Sequence, residues 1–130
     1  MERLSEADAL NKESAALALV GDAVWSLYVR ERLILRHDYK AGRLSRMACD
    51  YVNAAAQCKM LYAIEQSLTE TESDVCRRAR NERTGARAKN ASVDEYRKAT
   101  ALEALMGFLY LTGREARLTE LMEACFACVI

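Results

Sequence analysis

Two carboxylates stand alone in apolar surroundings. In LALVGDAVW, Leu17 to Trp25, Asp22 is the only charged residue between Ala15 and Val29. In ATALEALMGFLYL, Ala99 to Leu111, Glu103 is equally isolated, and Gly107 one turn later leaves space beside its side chain. A buried carboxylate costs several kcal/mol unless it is paired, hydrogen-bonded or bound to a cation. Two carboxylates cannot neutralise each other, so if these two meet they need a cation between them or a shared proton. The residues leave two readings open. Each carboxylate pairs with a separate arginine and helps to fix the core, or together they hold Mg²⁺, a hard ion that keeps several waters and takes one or two carboxylates from protein.

A basic segment bears on that choice. Arg77, Arg78, Arg80, Arg83, Arg87 and Lys89 face only Glu82 across residues 77–89, a net +5 in a chain of zero net charge. A solvated charged loop is one reading, since charge clusters alone are weak evidence. The other is phosphate contact, with arginine giving bidentate geometry and Asn81 and Asn90 bonding sugar or phosphate oxygens. A metal carboxylate pair beside a phosphate-binding loop suits phosphodiester hydrolysis, in which the ion polarises the phosphate and acidifies an attacking water. The protein then mainly positions and neutralises.

Helices must carry these groups. The chain has 130 residues, five glycines and no proline, and is rich in Ala, Leu, Glu and Arg, a composition that favours helix. An all-α fold in one domain spanning 1–130 is expected. A first helix begins near Asn11 or Ser14 and runs to about Leu35, apolar nearly all round through Val29. A second, from about Arg43 to Ser67, places Leu44, Met47, Ala48, Tyr51, Val52, Ala55, Cys58 and Tyr62 on one face. Thr69 with Glu72, and Ser92 with Glu95, form capping boxes that open two more helices. The helix after Ser92 is stopped by Thr112 and Gly113. A last helix presents Leu118, Leu121, Met122, Cys125, Phe126 and Val129.

Composition also excludes classes. No apolar run reaches the roughly 18 to 20 residues of a membrane span, and MERLSEAD lacks the order of a signal peptide, so a cytoplasmic protein is expected. Cys49, Cys58, Cys76, Cys125 and Cys128 form an odd set, read as reduced, buried helical thiols rather than a disulfide framework. Cys125 and Cys128 make a C-x-x-C, yet with His37 the only histidine no second zinc ligand pair exists.

At this point the motifs become recognisable. ALALVGDAVWSLYVRERL, Ala16 to Leu33, resembles the signature helix of ribonuclease III catalytic domains. RRARNERTGARAKN, Arg77 to Asn90, with YRKATALEALMGFLYL, Tyr96 to Leu111, is similar to the second half of that domain, and YVNAAAQ, Tyr51 to Gln57, extends the likeness. The pattern resembles most the short Mini-ribonuclease III subfamily, through Arg77, Arg78, Arg80, Asn81, Lys89, Asn90, Tyr96, Arg97, Thr100, Glu103 and Ala104. The resemblance implies a ribonuclease III-type helical bundle with Asp22 and Glu103 as catalytic carboxylates and ligands of Mg²⁺, with Mn²⁺ the alternative ion. It implies RNA contacts at Arg77, Arg78, Arg80, Asn81, Lys89, Asn90 and Arg97, and a homodimer joined largely through the signature helix. Ala18 and Thr100 stand where longer relatives carry two further acidic ligands, a reduction the subfamily shares. The implied substrate is double-stranded RNA, specifically the paired ends of precursor 23S ribosomal RNA, with a ribosomal protein as a candidate helper. Duplex RNA is read through phosphates and 2′-hydroxyls, and with no appended double-stranded RNA-binding domain expected, affinity should fall steeply with salt.

Two other readings stay open on these residues. One is a non-catalytic RNA-binding or ribosome-assembly module with the same fold, which Ala18 and Thr100 favour. The other is a helical dimerisation module with structural carboxylates. Trp25 is read as core or dimer contact, and His37 as a surface residue favourable at a helix C-terminus. Arg43, Arg46 and Lys59 are left outside the site.

Overall fold

The computed structural model describes residues 2–82 and 92–129, in which seven α-helices and no strand occur. A short helix α1 (Glu6–Leu10), capped by Ser5, precedes the long α2 (Ser14–Arg36). Then come α3 (Ala41–Val52) and α4 (Ala54–Ile64), the latter closed by a 3₁₀ turn over Glu65–Ser67. The chain ends with α5 (Glu70–Asn81), α6 (Val93–Leu111) and α7 (Glu115–Ala127). Both expected capping boxes are present. Thr69 accepts from the Glu72 backbone while Glu72 accepts from Thr69, and Ser92 and Glu95 repeat the arrangement. Gly113, at φ 73°, ends α6 with bonds from its own N–H to Tyr110 and from Arg114 to Leu109, a Schellman closure that glycine allows.

The second expected helix is two. Asn53 sits at ψ 159°, outside helical space, and its side chain accepts from Ala56 to open α4 afresh. A competing local hydrogen bond of this kind is how Asn interrupts helices. The break shifts the buried face from the expected Ala55, Cys58 and Tyr62 to Gln57, Met60, Leu61 and Ile64, and leaves Tyr62 79% exposed. Cysteine burial also departs from expectation. All five thiols are free, but only Cys76 and Cys125 are buried; Cys49 is exposed, and Cys58 and Cys128 lie between.

Helix α6 is the axis of the bundle. Ala101, Leu102, Ala104, Leu105, Met106, Phe108 and Leu109 are all buried, because α2, α4, α5 and α7 pack around it. Against α2 the approach is backbone to backbone. A Cβ on Gly21 would lie 1.7 Å from the Glu103 carbonyl oxygen, and one on Gly107 would lie 1.9 Å from that of Leu17. Gly107 therefore makes room for α2 itself rather than for the Glu103 side chain. Trp25 is fully buried, its indole N–H donating to the Tyr51 carbonyl at 2.8 Å, which settles it as core.

Among the described residues the buried carboxylate with an arginine partner is Glu72, not Asp22 or Glu103. Arg117 from α7 grips both of its oxygens, at 3.0 and 2.8 Å, and also donates to the Ser67 carbonyl. Burial opposes the charge on Glu72, but the Arg117 and Thr69 donors outweigh it and hold the carboxyl below its ordinary pKa. Arg117→Met should leave that carboxylate buried and half-satisfied, lowering unfolding free energy by about 2–4 kcal/mol. Urea denaturation at neutral pH would show it, and a change under 1 kcal/mol would contradict the assignment.

Candidate active site

Asp22 and Glu103 are brought together by the glycine crossing. Gly21 immediately precedes Asp22, and its missing Cβ lets α2 rest on the Glu103 backbone. Neither carboxylate forms an ion pair with a cation among the described residues; instead each is the other's polar neighbour. Burial, then a hydrogen bond to Asp22, then the Asp22 charge push the Glu103 pKa up to about 8, against a weaker influence of the Gln57 amide that lowers it. In the metal-free protein Glu103 thus keeps its proton at neutral pH, the shared-proton state expected of two carboxyls in contact.

The pair opens into a pocket of about 280 Å³ lined by Ala15, Ala18, Leu19, Asp22, Tyr96, Thr100 and Glu103. Tyr96, Thr100 and Glu103 occupy i, i+4 and i+7 on one face of α6, and Ala15, Ala18 and Asp22 the matching stripe of α2. Thr100 donates its hydroxyl to the Tyr96 carbonyl at 2.9 Å. Ala18 and Thr100, the two non-acidic positions singled out in the sequence, are both walls of this pocket.

The basic segment begins at a second pocket, about 360 Å³, lined by Arg77, Arg78 and Asn81 together with Glu13, Ser14 and Glu82, two arginines against two glutamates. Glu82 accepts from the Ser14 backbone N–H at 3.1 Å, fastening the end of α5 to the start of α2. Ser14 and Ala15 are consecutive in α2, so each pocket reaches the first turn of that helix. Arg78 and Asn81 are exposed, while Arg77 pairs with Asp74 at 2.8 Å and Arg80 with Glu65 at 3.8 Å. Arg97 is exposed on α6 beside Tyr96. Lys89 and Asn90 lie outside the described residues, as do Arg83 and Arg87. His37 caps α2 and stacks on Tyr39 at 4.7 Å.

An oxygen-donor pair of this kind fits a hard divalent cation, which would offset the burial and the Asp22 charge that raise the Glu103 pKa. Among the described residues no group of three or more His, Cys, Asp or Glu is placed to hold a metal, so any ion there would rely on two carboxylates and water. Gln57, buried and acting on Glu103, joins the expected site residues. The signal lay in its spacing, since a lone amide at the i position of an i, i+3, i+4, i+7 apolar stripe is out of place in a core.

Comparison with known proteins supplies the family. Residues 15–114 match the Ribonuclease III domain. A Mini-ribonuclease 3 of Brevibacillus brevis is 44% identical over 113 residues, covering 87% of this chain and 84% of that protein. Another, from Symbiobacterium thermophilum, is 42% identical over 118 residues, covering 91% of each. A crystal structure of a Fusobacterium nucleatum protein superimposes with a TM-score of 0.81 at 30% identity, covering 87% of this chain and 92% of that one. The chain belongs to the ribonuclease III family of endoribonucleases, in its short Mini-ribonuclease 3 branch.

Proposed function

We propose that this chain, acting as one catalytic domain over residues 1–130, is an Mg²⁺-dependent nuclease that matures the paired ends of precursor 23S ribosomal RNA in the cytoplasm. Proteins of the family act on double-stranded RNA, work as dimers and are generally dependent on divalent metal. The observation that carries the reading is the Asp22 and Glu103 pair, free of ion-pairing cations among the described residues and lining one pocket together.

Asp22 and Glu103 would hold the ion. Bound there, Mg²⁺, or Mn²⁺ in its place, supplies Lewis-acid polarisation of the phosphodiester and acidifies water for attack. The chain's own part is to position. Arg78 and Asn81 are exposed and offer donors to phosphate and sugar oxygens, and we assign Arg77, Arg80, Arg97, Lys89 and Asn90 to RNA contact on the family resemblance. The test is cleavage of long duplex RNA with Mg²⁺ by wild type and Asp22→Asn. Cutting by wild type that the variant loses while RNA binding persists supports the reading, whereas an equally active variant removes Asp22 from the site. A ribosomal-protein helper would show as faster cutting of precursor RNA when that protein is bound to it.

The homodimer follows from the outer face of α2. At 100° per residue Ala16, Leu19, Ala23, Leu27 and Ile34 fall within an arc of about 80°, and Leu19, Leu27 and Ile34 are 74, 68 and 64% exposed. An apolar stripe of this length on a lone chain is the mark of an interface, here one that a second copy would cover. Leu27→Arg should give a monomer by light scattering where wild type gives a dimer, and a variant still dimeric at micromolar concentration would place the interface elsewhere.

A further inference from the structure

Gln57 stands where a core residue belongs. It shares the buried face of α4 with Met60, Leu61 and Ile64, and is only 2% exposed. Its amide nitrogen is buried and has no hydrogen-bond partner. Native interiors leave few such donors, because a buried unpaired N–H loses its water and gains nothing in exchange. The backbone around it is firmly held. Gln57 N–H donates to the Asn53 carbonyl at 3.1 Å, and Asn53 is tied on both sides, to Ala56 at 2.8 Å and to Cys49 at 3.0 Å. The amide acts on the Glu103 carboxyl of α6, whose charged form it favours, and α4 packs directly on α6.

We propose that Gln57 is a positioning residue, its Nε2–H group fixing the Glu103 carboxylate in the orientation that meets Asp22 and a divalent cation, without itself touching ion or RNA. The inference rests on the assignment of Asp22 and Glu103 as the metal site. Carboxylates that bind metals are themselves hydrogen-bonded, and loss of such an outer partner typically weakens metal binding about 10–100-fold. It also explains why an amide persists at a position that Leu or Met would fill.

The experiment measures Mn²⁺ affinity by electron paramagnetic resonance for wild type, Gln57→Leu, Gln57→Met and Glu103→Gln, alongside thermal unfolding in EDTA and kcat and KM on duplex RNA. Gln57→Leu and Gln57→Met should unfold in EDTA at or above the wild-type temperature, since both fill the site without an unpaired amide. They should bind Mn²⁺ about 10–100-fold more weakly, with kcat reduced and KM for RNA unchanged. If either folded variant binds Mn²⁺ as wild type does while Glu103→Gln does not, Gln57 is core filling only and the proposal fails alone. If Glu103→Gln also binds as wild type does, the metal-site assignment fails and takes the proposal with it.

Discussion

Glu103→Gln should destroy cleavage and yet stabilise the metal-free protein, with the gain growing as pH rises. Glu103 holds its proton up to about pH 8 in the folded chain, against an ordinary value of 4.5. Between those values the folded state binds one proton more than the unfolded state, so raising the pH draws the equilibrium toward unfolding. The stabilisation is complete below about pH 4.5 and is lost as pH climbs toward 8, at on the order of 1.4 kcal/mol per unit across the window. Glutamine keeps the shape of the protonated acid and does not titrate. Melting curves in EDTA at pH 5 and pH 8.5 should therefore nearly coincide at the lower pH, and at the higher one the variant should melt above wild type by several degrees. Mg²⁺ should reverse the order by stabilising wild type alone. Cleavage should fall about 10³-fold or more, the equivalent of several kcal/mol of charge stabilisation. Identical pH dependence in the two proteins would show that the carboxyls do not share a proton.

Gly21→Ala should be the most damaging single methyl group in the described part of the molecule. Inside a helix this exchange normally stabilises by up to about 1 kcal/mol. Here the added carbon meets the Glu103 carbonyl oxygen at 1.7 Å and the Gly107 nitrogen at 2.9 Å, and both obstacles are backbone that no rotamer change can move. Restoring van der Waals contact means parting α2 from α6 by roughly 1.5 Å, which opens a void along the most heavily packed pair of helices. A cost above about 4 kcal/mol is expected, a large share of the 5–15 kcal/mol that holds a typical domain together. Gly42→Ala is the control, because its Cβ would find only the Arg46 side chain at 3.6 Å, and it should leave the protein unchanged or slightly more stable. Urea midpoints of the two variants should move apart; a Gly21→Ala protein as stable as wild type would mean that the helices separate at no cost.

These outcomes mark where sequence was sufficient. Capping boxes at Thr69 and Ser92 and the stop at Gly113 are legible because each depends on residues within one helical turn, whereas α2 opens after Glu13 without a side-chain cap, its Ser14 N–H held by Glu82 from α5 rather than capped by Asn11 or Ser14. The isolation of Asp22 and Glu103 was legible as well, since a charge in an apolar stretch needs no neighbour to be conspicuous. What could not be read was anything set by distant partners. Glu72 looked like a cap and nothing more, and only the arrival of Arg117 from α7 makes it a buried ion pair. The Asn53 break was missed because apolar spacing runs on across it, and with the break went the true face of α4. The five-residue α1, begun by Ser5, was too short to announce itself by period. Gly107 was noticed, but its purpose belongs to α2 rather than to its own helix.

The interruption at Asn53 also makes α4 indifferent to what precedes it. In an unbroken rod, inserting one residue anywhere upstream turns everything after it by about 100°. Because α4 starts from its own cap, an insertion in α3 would be absorbed at the junction, and Gln57, four positions past Asn53, would still face α6. An insertion between Asn53 and Gln57 has no such refuge and would swing Ala56 into the place beside Glu103. Length variation among relatives should therefore be tolerated on the early side of this asparagine and forbidden across the four residues that follow it.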